Sequence, residues 1–304
     1  AARLTWVRRA AWPCQGVERT LQSATGCPGT GGGASYNQPR PARVGPRVRR
    51  PFPGERPPVH TPSLAHSPES AVSDRLAVLP QYLLPKQALT QLAGAVARRQ
   101  GGTFTTALIR RFVARYGVNM AEAADPRIDA YASFNDFFTR ELQPGARPLN
   151  DTPDAILCPA DGAISQLGPI KSGRIFQAKG QSFTAAELLG DAEAAKPFAD
   201  GLFATVYLSP RDYHRVHAPV AGKIAFVRSM PGDYYPVNEI GVKHVHNLFV
   251  RNRRVSIAID TPKETGLGRV TVVMVAAMVV GRITVTGIDA RDVEAEQESR
   301  IGTQ

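Results

Sequence analysis

Two histidines, His214 and His217, lie three positions apart in a polar segment, Ser209 to Pro219, that follows an apolar run. The same segment carries a tyrosine and two arginines. Imidazole exchanges protons near neutral pH and arginine stabilises negative charge, so this set favours acid–base or nucleophilic catalysis. Asp161 lies in a second candidate segment, the tight turn Cys158 to Gly162. By itself, an Asp-Gly turn is also typical of a purely structural loop.

A metal site is the first alternative for these histidines. Together with His244 and His246, His214 and His217 could supply imidazole ligands to zinc. The spacing is not diagnostic, and no His-Glu-x-x-His motif is present. We therefore predict no metal.

A serine hydrolase is the second alternative. It would combine Asp161 and His217 with a serine such as Ser165 or Ser209, but the chain has no Gly-x-Ser-x-Gly elbow. A further loop, residues 176–183, carries Lys179, which fits an exposed lysine better than a catalytic one.

Composition separates the first quarter of the chain from the rest. Residues 1–75 hold 11 prolines, 8 glycines and 11 arginines against 4 acidic residues, and they show no apolar period. Such a segment cannot bury enough apolar surface to fold, so we predict a disordered arm. Its arginines leave open a second class of function, a basic protein that binds nucleic acid or an anionic surface. A targeting peptide or a dispensable extension fits the arm as well.

The remaining sequence predicts three helices and then strands. Helices are expected from Pro85 to Arg99, from Thr103 to Tyr116 with Gly117 as its stop, and from a Ser133 cap to before Pro144. Short runs rich in valine and isoleucine predict strands at Ile156 to Cys158, Leu202 to Leu208, Lys223 to Val227, Val255 to Ile259 and Val270 to Val280. Even the longest apolar run is about half of the ~20 residues that span a bilayer.

These elements predict an α+β fold in which basic N-terminal helices precede a β-rich catalytic body. The expected boundaries are a disordered arm at 1–75, a helical lead-in at 76–148, a β-rich body at 149–287 and a divergent acidic tail at 288–304.

Several strings of residues resemble the bacterial, pyruvoyl-dependent phosphatidylserine decarboxylase family. The most specific is Tyr207 to His217. Others follow in the family's order: Phe134 to Leu142, Pro144 to Pro148, Pro159 to Gly162, Gln177 to Gly180 and Asn247 to Asn252. The likeness runs from about Leu79 to about Ile283.

The resemblance implies a self-cleaving proenzyme. A serine in a Leu-Gly-Ser-Thr-like motif attacks the carbonyl of the preceding glycine, and β-elimination leaves a covalent pyruvoyl cofactor. Carried over by motif, His217 is the base that activates the serine, and Asp161 is the acid that orients the base. The pyruvoyl ketone then forms a Schiff base with phosphatidylserine and accepts electrons as CO2 leaves. His214 is expected to protonate the resulting carbanion, which gives phosphatidylethanolamine.

The lipid substrate implies a membrane role for the lead-in helices. Their basic residues would attract anionic headgroups while an apolar face enters the headgroup boundary. The expected membrane-binding residues are Lys86, Arg98, Arg99, Arg110, Arg111 and Arg115. The alternative is that these helices pack on the body with their charges in water. The resemblance implies a peripheral protein on the cytoplasmic face of the cell membrane, or on the mitochondrial inner membrane in a eukaryote, with no nucleic-acid partner.

The tail departs from the family pattern. After Val285, residues 287–300 carry acids and arginines but no Leu-Gly-Ser-Thr motif, and Ser299 is not preceded by glycine. We therefore expect a truncated or frame-shifted copy that lacks the α chain and the serine precursor of the cofactor, and that is inactive alone. We also expect open sheet edges where the family's later strands would pair. A homo-oligomer is compatible with the sequence.

Overall fold

A computed structural model describes residues 2–4, 84–149, 155–178, 180–289, 293 and 299–301. All of them belong to one compact unit, and the second unit, residues 15–71, lies outside the described residues. Of the predicted disordered arm, only Ala2–Leu4 is described, and it forms a strand. The Arg-rich part of the arm therefore lies outside the described residues.

Three helices form the lead-in: α1 (Lys86–Arg98), α2 (Gly102–Tyr116) and α3 (Phe134–Phe138). Gly117 ends α2 in the left-handed region with φ 65°, where glycine avoids the strain that a Cβ would cause. The Ser133 side chain accepts a hydrogen bond from the Asp136 backbone N–H at 3.1 Å, which confirms the predicted cap. Helix α3 is shorter than predicted and ends at Phe138.

An aromatic cluster joins α2 to α3. Phe112 meets Phe134, Phe137 and Phe138 edge-on, with ring centroids 5.1 to 6.1 Å apart. Phe137 and the neighbouring Ile109 are fully buried. Edge-to-face packing of this kind stabilises by about 0.5–1.5 kcal/mol per pair beyond burial alone. The cluster therefore fixes the position of α3, which ends directly before Thr139.

Helix α1 docks on the body through its polar face. Thr90 is buried, and its Oγ1 accepts a hydrogen bond from the Val279 backbone N–H at 3.2 Å. A Cβ on Gly281 would lie 2.5 Å from Thr90 Cγ2, so only glycine allows this approach. The predicted apolar face of α1 therefore points away from this contact.

The body is built from short strands in several sheets. Strands β1 (Ala2–Leu4), β6 (Arg215–Val216) and β10 (Ile283–Val285) form one parallel sheet in the order β10-β1-β6. Strands β7 (Lys223–Met230), β8 (Arg254–Asp260), β9 (Arg269–Val275) and β11 (Ser299–Ile301) form an antiparallel sheet in the order β11-β7-β8-β9. The main core packs between these two sheets and includes Val216, Val227, Ile257, Met274 and Ile283.

Two antiparallel pairs and four short helices complete the body. They are β2 (Ala163–Pro169) with β5 (Leu202–Tyr207), β3 (Arg174–Ala178) with β4 (Gln181–Thr184), α4 (Ala185–Leu189), α5 (Ala192–Ala195), α6 (Glu239–His244) and α7 (Leu248–Arg251). Three single 3-10 turns occur at Ile128–Ala130, Lys196–Phe198 and Lys263–Thr265. The described elements confirm the predicted α+β class.

Four of the five predicted strands form, with shifted ends, and the fifth does not. Residues 156–158 form no strand, although the Leu157 N–H donates a hydrogen bond to the Pro219 carbonyl at 2.9 Å. The predicted strand Val270 to Val280 ends at Val275, because the chain then turns back through the bridge between Ala277 and Val280.

The tail is partly ordered against the body. Strand β11 pairs with the edge of β7, and Val293 is fully buried. Ser229 Oγ donates to the Val293 carbonyl at 2.6 Å. The tail thus forms a strand at Ser299–Ile301, and the expectation of open sheet edges is wrong at β7, because β11 covers that edge.

Candidate active site

A backbone hydrogen bond joins the turn that carries Asp161 to the segment that carries His217. The His217 backbone N–H donates to the Pro159 carbonyl at 2.7 Å, which joins the two predicted segments directly. Gly162 has φ 142°, and a Cβ there would lie 2.3 Å from the Tyr207 carbonyl oxygen. Glycine at position 162 is therefore needed for the turn to approach β5.

Arg147 holds the Asp161 carboxylate. Its Nε donates to Asp161 Oδ1 at 3.1 Å and its Nη2 to Asp161 Oδ2 at 2.8 Å. The same Nη2 lies 2.6 Å from Glu122 Oε2. This two-point geometry is the fork that a guanidinium offers a carboxylate. Arg147 belongs to the Pro144 to Pro148 motif, but its role was not predicted.

Tyr213 orients the His217 ring. His217 Nε2 is 3.2 Å from Tyr213 Oη, and the two rings stack with centroids 5.5 Å apart. Burial raises the pKa of the Tyr213 phenol, and the charge of Asp161 adds to that effect against the opposing charge of Arg215. Tyr213 therefore stays protonated at neutral pH and remains available as a hydrogen-bond partner of the base.

His214 occupies a drier environment. Its ring lies 3.9 Å from the Phe138 ring, and its Nδ1 is 2.8 Å from the Asp212 carbonyl oxygen. Burial lowers the pKa of His214 to about 4, although the Asp212 hydrogen bond opposes this shift. His214 is therefore neutral at physiological pH, and the carbonyl partner assigns the proton to Nδ1.

Arg215 ties the lead-in to the histidine segment. Its Nε donates to the Thr139 carbonyl at 2.8 Å, and its Nη1 donates to Glu141 Oε1 at 2.7 Å. The end of α3 is thereby bonded to the strand between the two histidines.

The structure brings the predicted residues into one neighbourhood without the direct pairing that the triad analogy implies. Among the described hydrogen bonds, those of the Asp161 carboxylate run to Arg147 and that of the His217 ring runs to Tyr213. Besides burial, the charge of Asp161 raises the pKa of Tyr213, the hydrogen-bond partner of the His217 ring. The geometry thus gives a base, a hydroxyl and a clamped carboxylate.

The alternative chemistries find less support at these positions. Ser165 Oγ donates to the Thr205 carbonyl and Ser209 Oγ donates to Asp212 Oδ2, so neither serine is bonded to His217. Within the part of the chain that the structure describes, no three His, Cys, Asp or Glu residues are grouped to hold a metal ion. Lys179 lies outside the described residues.

Known proteins match most of this region. A family model described as phosphatidylserine decarboxylase matches residues 134–303, and a second, described as PSD, matches residues 76–117. A phosphatidylserine decarboxylase proenzyme of Acidovorax ebreus is 56% identical over 211 residues, which are 69% of this chain and 72% of the relative. The chain belongs to the phosphatidylserine decarboxylase family. Proteins with the same name match from Chromobacterium violaceum (54% identical, 69% of this chain and 74% of the relative) and Pseudomonas putida (52%, 70% and 73%).

Phosphatidylserine decarboxylases are carboxy-lyases, and the family match covers every residue of the site described above except Glu122. The match also extends to residue 303, through the tail that the sequence alone set apart as divergent. The tail is therefore part of the region that is similar to the decarboxylase family.

The decarboxylase lead-in presents apolar side chains and arginines to solvent. Leu92 is 64% exposed and Phe104 is 58% exposed. The five predicted membrane-binding arginines, Arg98, Arg99, Arg110, Arg111 and Arg115, are all exposed. Lys86 does not belong with them, because it is 8% exposed and its Nζ lies 4.2 Å from the centre of the Tyr235 ring. No helix among the described residues is long and apolar enough to cross a membrane.

Proposed function

We propose that this chain carries the acid–base site of a phosphatidylserine decarboxylase, which converts phosphatidylserine to phosphatidylethanolamine and CO2. The observation that carries the proposal is the hydrogen bond from the His217 N–H to the Pro159 carbonyl. It joins the most specific family string, Tyr207 to His217, to the Pro159 to Gly162 string, so that His217 lies beside the turn of Asp161.

His217 is the proposed base for maturation. Its imidazole would accept the proton of a serine hydroxyl, a poor nucleophile that needs such a partner. Tyr213 Oη, 3.2 Å from Nε2, would hold the ring in orientation. Asp161, clamped by Arg147, would act on the imidazolium only through space, since its described hydrogen bonds run to Arg147.

His214 is proposed to act in the decarboxylation step from its neutral form. With a pKa of about 4 and Nδ1 bonded to a carbonyl, its Nε2 presents a lone pair rather than a proton. It must therefore take up a proton at Nε2 before it can donate one to the substrate carbon. This order differs from a simple donor role and follows from the burial of the ring.

The residues at the site fit a self-generated carbonyl group, but its precursor is not among them. The base, the hydroxyl and the clamped carboxylate suit the activation of a serine, whereas the 304 residues contain no glycine–serine pair. A pyruvoyl group, when present, supplies a carbonyl that withdraws electrons from the bound substrate. The chain's own part is to orient the substrate and to move protons at His214 and His217.

The lead-in is the proposed membrane-binding surface. Helices α1 and α2 expose Leu92 and Phe104 beside the five exposed arginines, a combination typical of a peripheral contact with anionic lipid. The polar face of α1 is used in docking on the body, so the apolar face is free to meet the headgroup region. We propose that the chain associates peripherally with the membrane leaflet that contains phosphatidylserine.

A chimera tests the proposed reaction. Residues after Val285 are replaced by the corresponding C-terminal segment of the Acidovorax ebreus relative, which by family resemblance carries the Leu-Gly-Ser-Thr-like sequence. We expect the chimera to split into two fragments and to release CO2 from phosphatidylserine vesicles. The 304-residue chain is the matched control and should remain uncut. A correctly folded chimera that neither splits nor releases CO2 contradicts the proposal.

A further inference from the structure

Arg140 is a buried cation beside the site that the mechanism does not use. It follows α3 and is 5% exposed. Within the described residues its guanidinium makes no hydrogen bond or ion pair, and its Nε is fully buried without an acceptor. The guanidinium lies over the Phe137 ring at 5.3 Å, which gives it a packing partner but gives its Nε–H no acceptor.

The acids near Arg140 are bonded elsewhere. Burial lowers the pKa of Arg140, while the charges of Tyr131, Asp161 and Glu122 favour its charged form from a distance. Asp161 and Glu122 both bond to Arg147 instead. An arginine remains charged at neutral pH even so. A buried Nε–H without an acceptor costs free energy, so the position is explained best by an acceptor that arrives with a ligand.

Arg140 also lies near His214, because Phe138, two residues before it, has its ring centroid 3.9 Å from that of His214. The positive charge of Arg140 contributes to the lowered pKa of His214. An anionic group held by Arg140 would therefore lie next to the residue proposed to handle the substrate proton.

We propose that the Arg140 guanidinium binds an anionic oxyacid group of the substrate headgroup. The inference rests on the proposed function. A planar guanidinium matches two oxygens of either a carboxylate or a phosphodiester, and phosphatidylserine carries both. The phosphodiester suits turnover better, because a cation that held the leaving carboxylate would stabilise the bound substrate more than the transition state.

Binding of water-soluble headgroups to the 304-residue chain tests the proposal without catalysis. Glycerophosphoserine is titrated by calorimetry or NMR, with glycerophosphoethanolamine and free serine as separate ligands. We expect saturable binding of glycerophosphoserine that Arg140→Met weakens at least about tenfold. Methionine preserves much of the packing over Phe137 while it removes the charge.

Two further variants control the result. Arg140→Lys keeps the charge but loses the planar fork, so it should bind with intermediate affinity even if the methionine variant folds poorly. Arg269→Met removes the guanidinium of a residue on β9 that is paired with Asp260 on β8, and it should leave binding unchanged. If the parent chain also binds glycerophosphoethanolamine, the group held by Arg140 is the phosphodiester. If it binds free serine instead, the group is the carboxylate.

The outcomes separate this inference from the proposed function. If the parent chain does not bind glycerophosphoserine, or if folded Arg140→Met binds it as tightly as the parent, Arg140 is a packing residue only and the inference is overturned. If binding depends on Arg140 but the chimera releases no CO2, the headgroup site stands and the proposed reaction fails.

Discussion

The imidazole of His217 lies nearly parallel to the phenol ring of Tyr213, at an angle of 17°, and its Nε2 is 3.2 Å from Tyr213 Oη. The two residues are four positions apart, and β6 lies between them. One hydrogen bond and one stacked contact thus fix the orientation of the proposed base.

Tyr213→Phe removes the hydroxyl and keeps the ring. We expect the chimera with this change to cleave more slowly, because the imidazole loses the partner that holds it in place. The free energy of unfolding should fall by about 1 kcal/mol, as for other single hydrogen bonds. Fragment formation is followed by gel electrophoresis, and unfolding by urea titration. Unchanged cleavage would show that Tyr213 does not orient His217.

Arg147→Lys keeps a positive charge but loses the fork that grips Asp161 at two oxygens. We expect slower cleavage of the chimera and a loss of about 1 kcal/mol of stability, since the pair is partly exposed to water. The matched control is Glu122→Gln, which removes the other carboxylate at Arg147 and leaves the Asp161 pair. If both variants slow cleavage equally, the clamp on Asp161 is not the cause.

Local signals predicted the elements well, whereas long-range pairs were beyond them. Ser133 caps a helix with its side chain, and Gly117 ends one through its backbone conformation. Strand β8 coincides with a buried run that the sequence shows as apolar. The family motifs predicted Asp161 and the histidines as site residues. No local pattern joins Arg147 to Asp161, because that bond connects two turns 14 residues apart.

Context also reversed two expectations. Lys86 looks like a solvent-exposed helix residue, yet tertiary packing buries it against Tyr235. The tail residues Ser299–Ile301 have little strand character, but the edge of β7 offers them a ladder of unpaired groups. The sheet edge thus determines the conformation of these residues.

Burial of His214 predicts a specific pH dependence of stability. The pKa is about 4 in the folded chain against 6.5 for a free imidazole. The unfolded chain therefore binds more protons between these values, so stability is full above pH 6.5 and falls as the pH drops toward 4. The loss should reach about 3 kcal/mol.

His214→Asn tests this assignment by urea unfolding at several pH values. Asparagine can keep a donor toward the Asp212 carbonyl but does not titrate, so the slope between pH 6.5 and 4 should become shallower. His246→Gln, at an exposed histidine, should leave the slope as it is. An identical slope in the His214 variant would contradict the burial argument.

The lead-in helices predict a separable membrane contact. Arg110→Gln with Arg111→Gln should weaken binding to anionic vesicles by roughly 30-fold, at about 1 kcal/mol per charge. Binding to neutral vesicles should not change. Leu92→Ser should weaken binding to both, because it removes apolar contact.

Vesicle co-sedimentation measures each effect. Leu202→Ser is the matched control, since Leu202 is an exposed leucine on β5 in the body. Equal losses for Leu92→Ser and Leu202→Ser would exclude the helices as the contact surface.

The most direct test of the proposed acid–base site is the intact mass of the chimera compared with its His217→Asn variant. We predict that the chimera yields two fragments, one of them blocked at its N-terminus by a pyruvoyl group, and that the variant remains a single uncut chain. Cleavage of the variant at the parent rate would contradict the role of His217 and the site built around it.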